Sequence, residues 1–323
     1  MSPSARVPHS ASNDDDLCVR AAWLHYGMGL TQGEVAARLG TTNGKAHRLI
    51  ARANRLGVVH VSIDGQITAC VALEERIAAR YRLDFCRVAP DLGEDVLPLT
   101  TLGLAGARFL RQTFESGGHA VIGFGNGRTL AACVNRLPHL DIKGVKLVSL
   151  LGGFTRRYAA TPFDVLHRLA DRTGAEAYVL PVPMYANSAE DRLVLLEQPG
   201  IGSVFEMGIS STLRVVGIGA MEPGSSTLSA GMVEEEETEE AKRAGGVGEM
   251  LGHIFGPSGR VVETDLSART LSMPVDKVRS QKTVAVAGGK LKTGAILSVL
   301  ASGLLSGLIT DERTATQIVA SGG

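Results

Sequence analysis

Six hydrogen-bond donors lie along one short segment of the chain: Asn43, Lys45, His47, Arg48, Arg52 and Arg55. Between Val35 and Ile63 there are five Lys or Arg residues (Arg38, Lys45, Arg48, Arg52, Arg55) and no Asp or Glu. Positive charge concentrated in this way suits the phosphate backbone of double-stranded DNA, and the guanidinium and amide groups can also read base edges. A second set of competent residues sits in three glycine-rich runs. These are Gly123-Phe124-Gly125-Asn126-Gly127-Arg128-Thr129, Gly152-Gly153-Phe154-Thr155 and Gly288-Gly289-Lys290-Leu291-Lys292. Glycine lets backbone N–H groups approach a ligand, and Arg128, Thr129, Lys290 and Lys292 add charge and hydrogen bonds for an oxyanion or a polyol.

Several other chemistries are excluded. The first glycine run is spaced GxGxG, and Gly152 and Gly153 stand after the next strand where a nicotinamide site needs an acidic residue. No run contains Gly-Lys-Ser/Thr, so none is a Walker A loop. Ser210, Ser211, Ser225 and Ser226 lack a GxSxG context. His47 and His60 have no Cys or carboxylate neighbours, and the cysteines, Cys18, Cys70, Cys86 and Cys133, form no CxxC pair, so neither a metal nor a cofactor is expected. The six glutamates between Glu234 and Glu240 read as the acidic opening of an exposed helix.

The elements that must position these residues follow from periodicity. Leu17, Ala21 and Leu24 recur at helical spacing up to Gly27, preceded by a tail over residues 1–15. Thr31-Gln32-Gly33-Glu34 is a capping box, and Gly40 ends the helix it opens. Thr41 or Thr42 caps a third helix, with Ala46, Leu49, Ala53 and Leu56 inward and the donors, Thr42 included, outward. Two short helices about a glycine turn have the dimensions of a helix-turn-helix. Val58 to Ile67, turning at Asp64-Gly65, reads as a hairpin wing. Residues 16–66 are thus expected to bind DNA.

From residue 67 to 323, after a connecting helix over Cys70 to Tyr81, apolar runs alternate with amphipathic stretches. Strands are expected at 120–124, 145–151, 177–181, 213–218, 283–287 and 307–310. Helices are expected at 129–137, 163–172, 238–244 and 295–304. This alternation predicts an α/β domain with a doubly wound, mostly parallel sheet, whose ligand lies beyond the carboxyl ends of the strands.

Composition agrees with that reading. The 323 residues are 44% hydrophobic and 20% charged, which excludes a disordered chain or a coiled-coil rod. Lys plus Arg (33) equals Asp plus Glu (33), so any affinity for DNA must be local. The N-terminus has no apolar signal core, and the stretch 295–309 is shorter than the ~20 residues of a membrane span. A cytoplasmic protein with reduced thiols, without a membrane partner, is expected.

Taken in order, several runs resemble the SorC family of bacterial sugar-binding transcriptional regulators. They are ThrGlnGlyGluValAlaAlaArgLeuGly within Arg20 to Gly57, IleGlyPheGlyAsnGlyArgThrLeu from Ile122, SerLeuLeuGlyGly from Ser149, ValGlyIleGly from Val216, ValAlaGlyGly from Val286 with Lys292, and GlyLeuIleThrAspGluArgThrAla from Gly307. The resemblance implies a C-terminal domain folded like ribose-5-phosphate isomerase and glucosamine-6-phosphate deaminase but used as a sensor. It implies that Gly125, Asn126, Gly127, Arg128, Thr129, Gly152, Gly153, Gly289 and Lys292 hold a sugar, sugar phosphate or polyol. Glu249 stands where the family commonly has Asp. The AlaAlaTrpLeuHis and LysAlaHisArgLeuIleAla runs point to members that repress polyol catabolism, erythritol being the suggested polyol. Half-sites on DNA mirror protein symmetry, so a homodimer or homotetramer is expected. Two alternatives stay open: an isomerase or deaminase using Glu249 and His253 at i and i+4, and a DNA-binding protein whose large domain only oligomerises.

Overall fold

The computed structural model describes residues 13–59, 67–94, 96–153, 164–221 and 233–321. They fall into two compact units that divide between Gly65 and Gln66.

The first unit contains α1 (Asn13–Ala22), a wide π turn (Trp23–Gly27), α2 (Gln32–Arg38) and α3 (Asn43–Arg55). Small side chains dominate its core, with Cys18, Ala21, Ala36, Ala46 and Ala53 packed beside Val35, Leu49 and Ile50. Short residues let the helix axes approach closely. Helix α1 begins at Asn13, inside the stretch read as tail, because Asp14, Asp15 and Asp16 complement the positive end of its dipole. Leu56, expected inward, is 50% exposed, and Ile50 fills the core in its place. Most of the expected wing, residues 60–66, lies outside the described residues.

In the second unit α4 (Thr68–Tyr81) leads into β1 (Phe85–Ala89), α5 (Leu99–Ser116), β2 (Val121–Phe124), α6 (Arg128–Asn135) and β3 (Lys146–Ser149). Next come α7 (Val165–Thr173), β4 (Glu176–Tyr178), α8 (Ala189–Leu196), α9 (Pro199–Ser210) and β5 (Leu213–Val216). The strands β6 (Gly219–Ala220), β7 (Gly248–Met250) and β8 (His253–Phe255) form a small antiparallel sheet, with α10 (Glu235–Arg243) between β6 and β7. The short helices α11 (Asp265–Ala268) and α12 (Val275–Val278) precede β9 (Lys282–Val286), α13 (Thr293–Ala301), β10 (Gly307–Asp311) and α14 (Glu312–Ala320).

The main sheet is parallel in every pairing and runs β1-β10-β9-β5-β2-β3-β4. Its central strands are buried on both faces, β5 and β10 along their whole length and β9 along all but Lys282. Strand order reverses between β2 and β5, which is the topological switch point where ligands enter such folds. Arg214 in β5 is fully buried, yet its guanidinium donates to Ile209 O (2.9 Å), Lys277 O (2.9 Å), Val278 O (3.0 Å) and Ser211 Oγ (3.2 Å). It thereby satisfies carbonyls at the C-terminal ends of α9 and α12, where a cation suits the dipole. Among the described residues no helix is long and apolar enough to cross a membrane.

Candidate functional site

The switch point opens into a narrow cleft. One wall is the turn from β2 into α6. Gly125 anchors it, with its N–H donating to Val215 O at 2.9 Å. A Cβ at Gly125 would stand 3.4 Å from both Leu251 Cδ2 and Val216 Cα, so the two walls meet closely here. Asn126 Oδ1 accepts from Gly127 N (2.9 Å), and Gly127 turns the chain at φ +124°, a conformation that favours glycine. Helix α6 then starts at Arg128 without a side-chain cap, which directs the positive end of its dipole at the cleft.

The facing wall comes from the small sheet and the loop after β9. Met250 pairs with His253 across a two-residue hairpin turn, whose Leu251 (φ 55°) and Gly252 (φ 80°) are both left-handed. The conformation strains a leucine, and it places the buried Leu251 side chain on the cleft lining. Glu249 lies opposite Gly219 in the strand register, and a Cβ at Gly219 would come within 2.5 Å of Glu249 Oε2. Burial pushes the Glu249 carboxyl above its usual range, opposed by the Gly252 N–H (2.5 Å from Oε1) and by Lys292. Lys292 donates from Nζ to Ile218 O at 2.8 Å. Burial first, and then the charge of Arg128, bring its ammonium down to about 8 against the pull of Glu249. Two cations, one carboxylate and a helix N-terminus therefore face one small volume. The set suits a compact, hydroxyl-rich or anionic molecule.

On the first unit, the capping box is formed: Glu34 N donates to Thr31 Oγ1 (3.4 Å) and Thr31 N to Glu34 Oε2 (2.7 Å). Gly40 turns the chain at φ +59°, and Thr42 Oγ1 accepts from Lys45 N (3.3 Å) to start α3. Thr42, Asn43, Lys45, His47, Arg48 and Arg55 are exposed along α3. Arg52 is only partly so, because it pairs with Asp15 of α1 at 2.7 Å.

Residues 65–320 match the family described as "Putative sugar-binding domain" (Sugar-bind). The chain is 52% identical to the "Erythritol catabolism regulatory protein EryD" of Brucella abortus (strain 2308), over 96% of this chain and 98% of that protein. The chain belongs to the SorC family of sugar-binding transcriptional regulators. Another relative, the "Transcriptional regulator LsrR" of Enterobacter sp. (strain 638), is 30% identical over 100% of this chain and 98% of its own length. The crystal structure of the full-length sorbitol operon regulator SorC from Klebsiella pneumoniae shares the fold, with a TM-score of 0.71 at 24% identity, covering 95% of this chain and all of that one. Both of the sequence relatives are named as regulators.

In this SorC-family chain, Gly125, Asn126, Gly127, Arg128, Thr129, Glu249 and Lys292 line the same cleft. Gly152 and Gly153 do not join them. They line a neighbouring open pocket that shares Gly125 and Asn126 with the first. Their N–H groups donate to Leu271 O and Val182 O, both at 2.8 Å, and a Cβ at Gly152 would lie 2.2 Å from Pro183 O. Gly289 also stays off the cleft, its N–H being shared by Asp311 Oδ2 (2.9 Å) and Thr314 Oγ1 (2.8 Å). Leu130, Leu151, Met184, Gly217, Ile218, Gly219 and Leu251 complete the lining; none was expected as a ligand contact, since apolar and glycine residues carry no marker of a site on their own. The Glu249 and His253 pair fails as an acid and base. The segment is a hairpin and not a helix, so the two side chains point to opposite faces. His253 Nε2 lies 2.8 Å from Met273 O and 3.2 Å from Ser272 Oγ.

Proposed function

We propose that this regulator represses a polyol catabolic operon, and that a small polyol or its phosphate, erythritol first among them, is the effector held between Arg128, Lys292 and Glu249. The convergence of these three charged groups at the switch point carries the reading. Cations at a helix N-terminus favour a phosphate or the acceptor oxygens of a polyol, while a carboxylate accepts from hydroxyl groups. The 52% identity to a protein named for erythritol catabolism supports the choice of polyol. Residues 67–323 would serve as effector and oligomerisation domain. The first unit would dock α3 in the major groove of operator DNA through Asn43, Lys45, His47, Arg48 and Arg55, as a cytoplasmic homodimer or homotetramer on a palindromic or repeated site.

A thermal-shift screen of the full chain against erythritol, other polyols, free sugars and their phosphates tests the reading, because a ligand of the native state raises apparent stability by mass action. A shift with a polyol or its phosphate, accompanied by release of operator DNA, is the expected result. Stabilisation by none of these compounds would overturn it.

A further inference from the structure

The GlyLeuIleThrAspGluArgThrAla run places no residue on the cleft, yet four of its five polar residues are hydrogen-bonded outside their own helix, Asp311 and Thr314 to the loop that carries Lys292 and Glu312 and Arg313 to Asp91. Asp311 ends β10, caps α14 and is 4% exposed. Its Oδ1 accepts from Thr314 N (3.0 Å), and its Oδ2 accepts from both Thr314 Oγ1 (2.6 Å) and Gly289 N (2.9 Å). Gly289 is held on its other side too, because its carbonyl accepts from Lys292 N at 2.8 Å. Neither glycine tolerates change: a Cβ at Gly288 would stand 2.1 Å from Asp311 Oδ2, and Gly289, at φ +104°, would put one 2.7 Å from Val96 O. The segment that supplies Val96 is itself tied to α14. Arg313 Nε donates to Asp91 Oδ2 (2.6 Å), and Asp91 N donates to Glu312 Oε2 (3.0 Å).

We propose that Asp311, acting with Thr314 through the Gly289 amide, is the positioning residue that aims Lys292 at the effector. The inference rests on the reading of Lys292 as an effector contact. A carboxylate suits this role because three donors converge on its two oxygens. A carboxamide keeps the shape but has one acceptor oxygen, so either Gly289 or Thr314 must lose its bond. A loop released at Gly289 would leave the Lys292 ammonium spread over several positions, and the bond it makes to a ligand would weaken accordingly.

The test is a double-mutant cycle, with calorimetric titration of the full-length chain by erythritol and, separately, erythritol 4-phosphate. Asp311→Asn should weaken binding of the phosphate ester about tenfold, as expected for partial loss of a charge-assisted bond. In a Lys292→Ala background the same change should matter less than about twofold, since residues acting through one contact do not add. Thr314→Val should behave like a weaker Asp311→Asn, and Thr314→Ser, which keeps the hydroxyl, should restore wild-type affinity. That pair serves if Asp311→Asn does not fold. Losses that add in the double variant, or an Asp311→Asn or Thr314→Val protein with wild-type affinity, would overturn the positioning role alone. Unaltered affinity in Lys292→Ala, or a wild-type chain that binds neither probe, would instead overturn the reading of the site on which it rests.

Discussion

Arg52 of α3 donates from Nη2 to Asp15 Oδ1 of α1 at 2.7 Å, with Asp14 Oδ2 a further 3.9 Å from Nη1. This guanidinium therefore belongs to the packing of its own unit. The exposed cations of α3 are Lys45, Arg48 and Arg55, and the outward row of donors divides into one structural member and several available ones.

That division predicts different outcomes for two neighbouring arginines. Arg48→Ala should weaken operator binding and reduce the steepness of its salt dependence by about one counterion. Arg52→Ala should instead lower the stability of the unit by about 1 kcal/mol or less, the ordinary scale of an exposed pair, with a smaller effect on the salt slope. Fluorescence anisotropy on operator DNA at several salt concentrations, with thermal melts, checks both. Equal salt slopes for the two variants would contradict the division.

Lys292 predicts a pH dependence of effector binding. Its ammonium titrates near 8, so it is charged below that pH and neutral above it. A phosphate ester already carries most of its second charge by pH 7, given a second pKa near ~6. Its affinity should therefore fall as pH rises from 7 to 9, with a neutral polyol affected less. Lys292→Ala should lose roughly 10 to 150-fold and flatten the profile. Titrations across that pH range decide it, and a flat wild-type profile would remove the lysine from the site.

How much of this was legible in the sequence depended on the kind of signal. The capping box at Thr31, the left-handed turn at Gly40 and the strands β2, β3, β5, β9 and β10 were readable, because each combines a local rule with an apolar run. Helix α5 was missed although it spans 18 residues, since Thr100, Thr101, Gly103 and Gly106 interrupt its pattern. Gly106 is there for packing: a Cβ would lie 2.3 Å from Cys133 Sγ. The hairpin holding Glu249 was unreadable for another reason. Its turn places Leu251, a residue that disfavours positive φ, in the left-handed region, so nothing in the residue types announces it. The third glycine run looked like a ligand loop by composition, while its amide is in fact spent on Asp311 and Thr314, a pairing 22 residues or more along the chain.

Gly219→Ala should impair effector response more than folding. The added methyl would meet the end of the Glu249 side chain, which can swing aside, where backbone could not. Stability should change by less than about 1 kcal/mol, while the displaced carboxylate loses its hydroxyl contacts and weakens polyol binding roughly tenfold. Calorimetry with erythritol, paired with urea denaturation, separates the two effects. A large stability loss with unaltered affinity would place Glu249 outside the effector contacts.

His253 predicts sensitivity to acid. Burial lowers its pKa below the ordinary 6.5, so the unfolded chain takes up this proton before the folded one does. Stability should therefore fall as pH drops through 6.5 toward the lower folded value. His253→Gln, which can still donate to Met273 O, should show a smaller loss between pH 7.5 and 5.5 in urea denaturation. Identical losses would assign the acid sensitivity elsewhere.

The pairing of β1 with β10 sets the order in which the second unit can be completed. Phe85 lies against Gly307 and Ala89 against Asp311, partners more than two hundred residues apart, and β10 also separates β1 from β9. During synthesis the earliest strand must wait for the last, because its neighbour in the sheet does not yet exist. A chain interrupted before Gly307 would therefore lose far more than its final helix. It would leave β1 without its partner and β9 with a bare edge, an invitation to aggregation and to proteolysis.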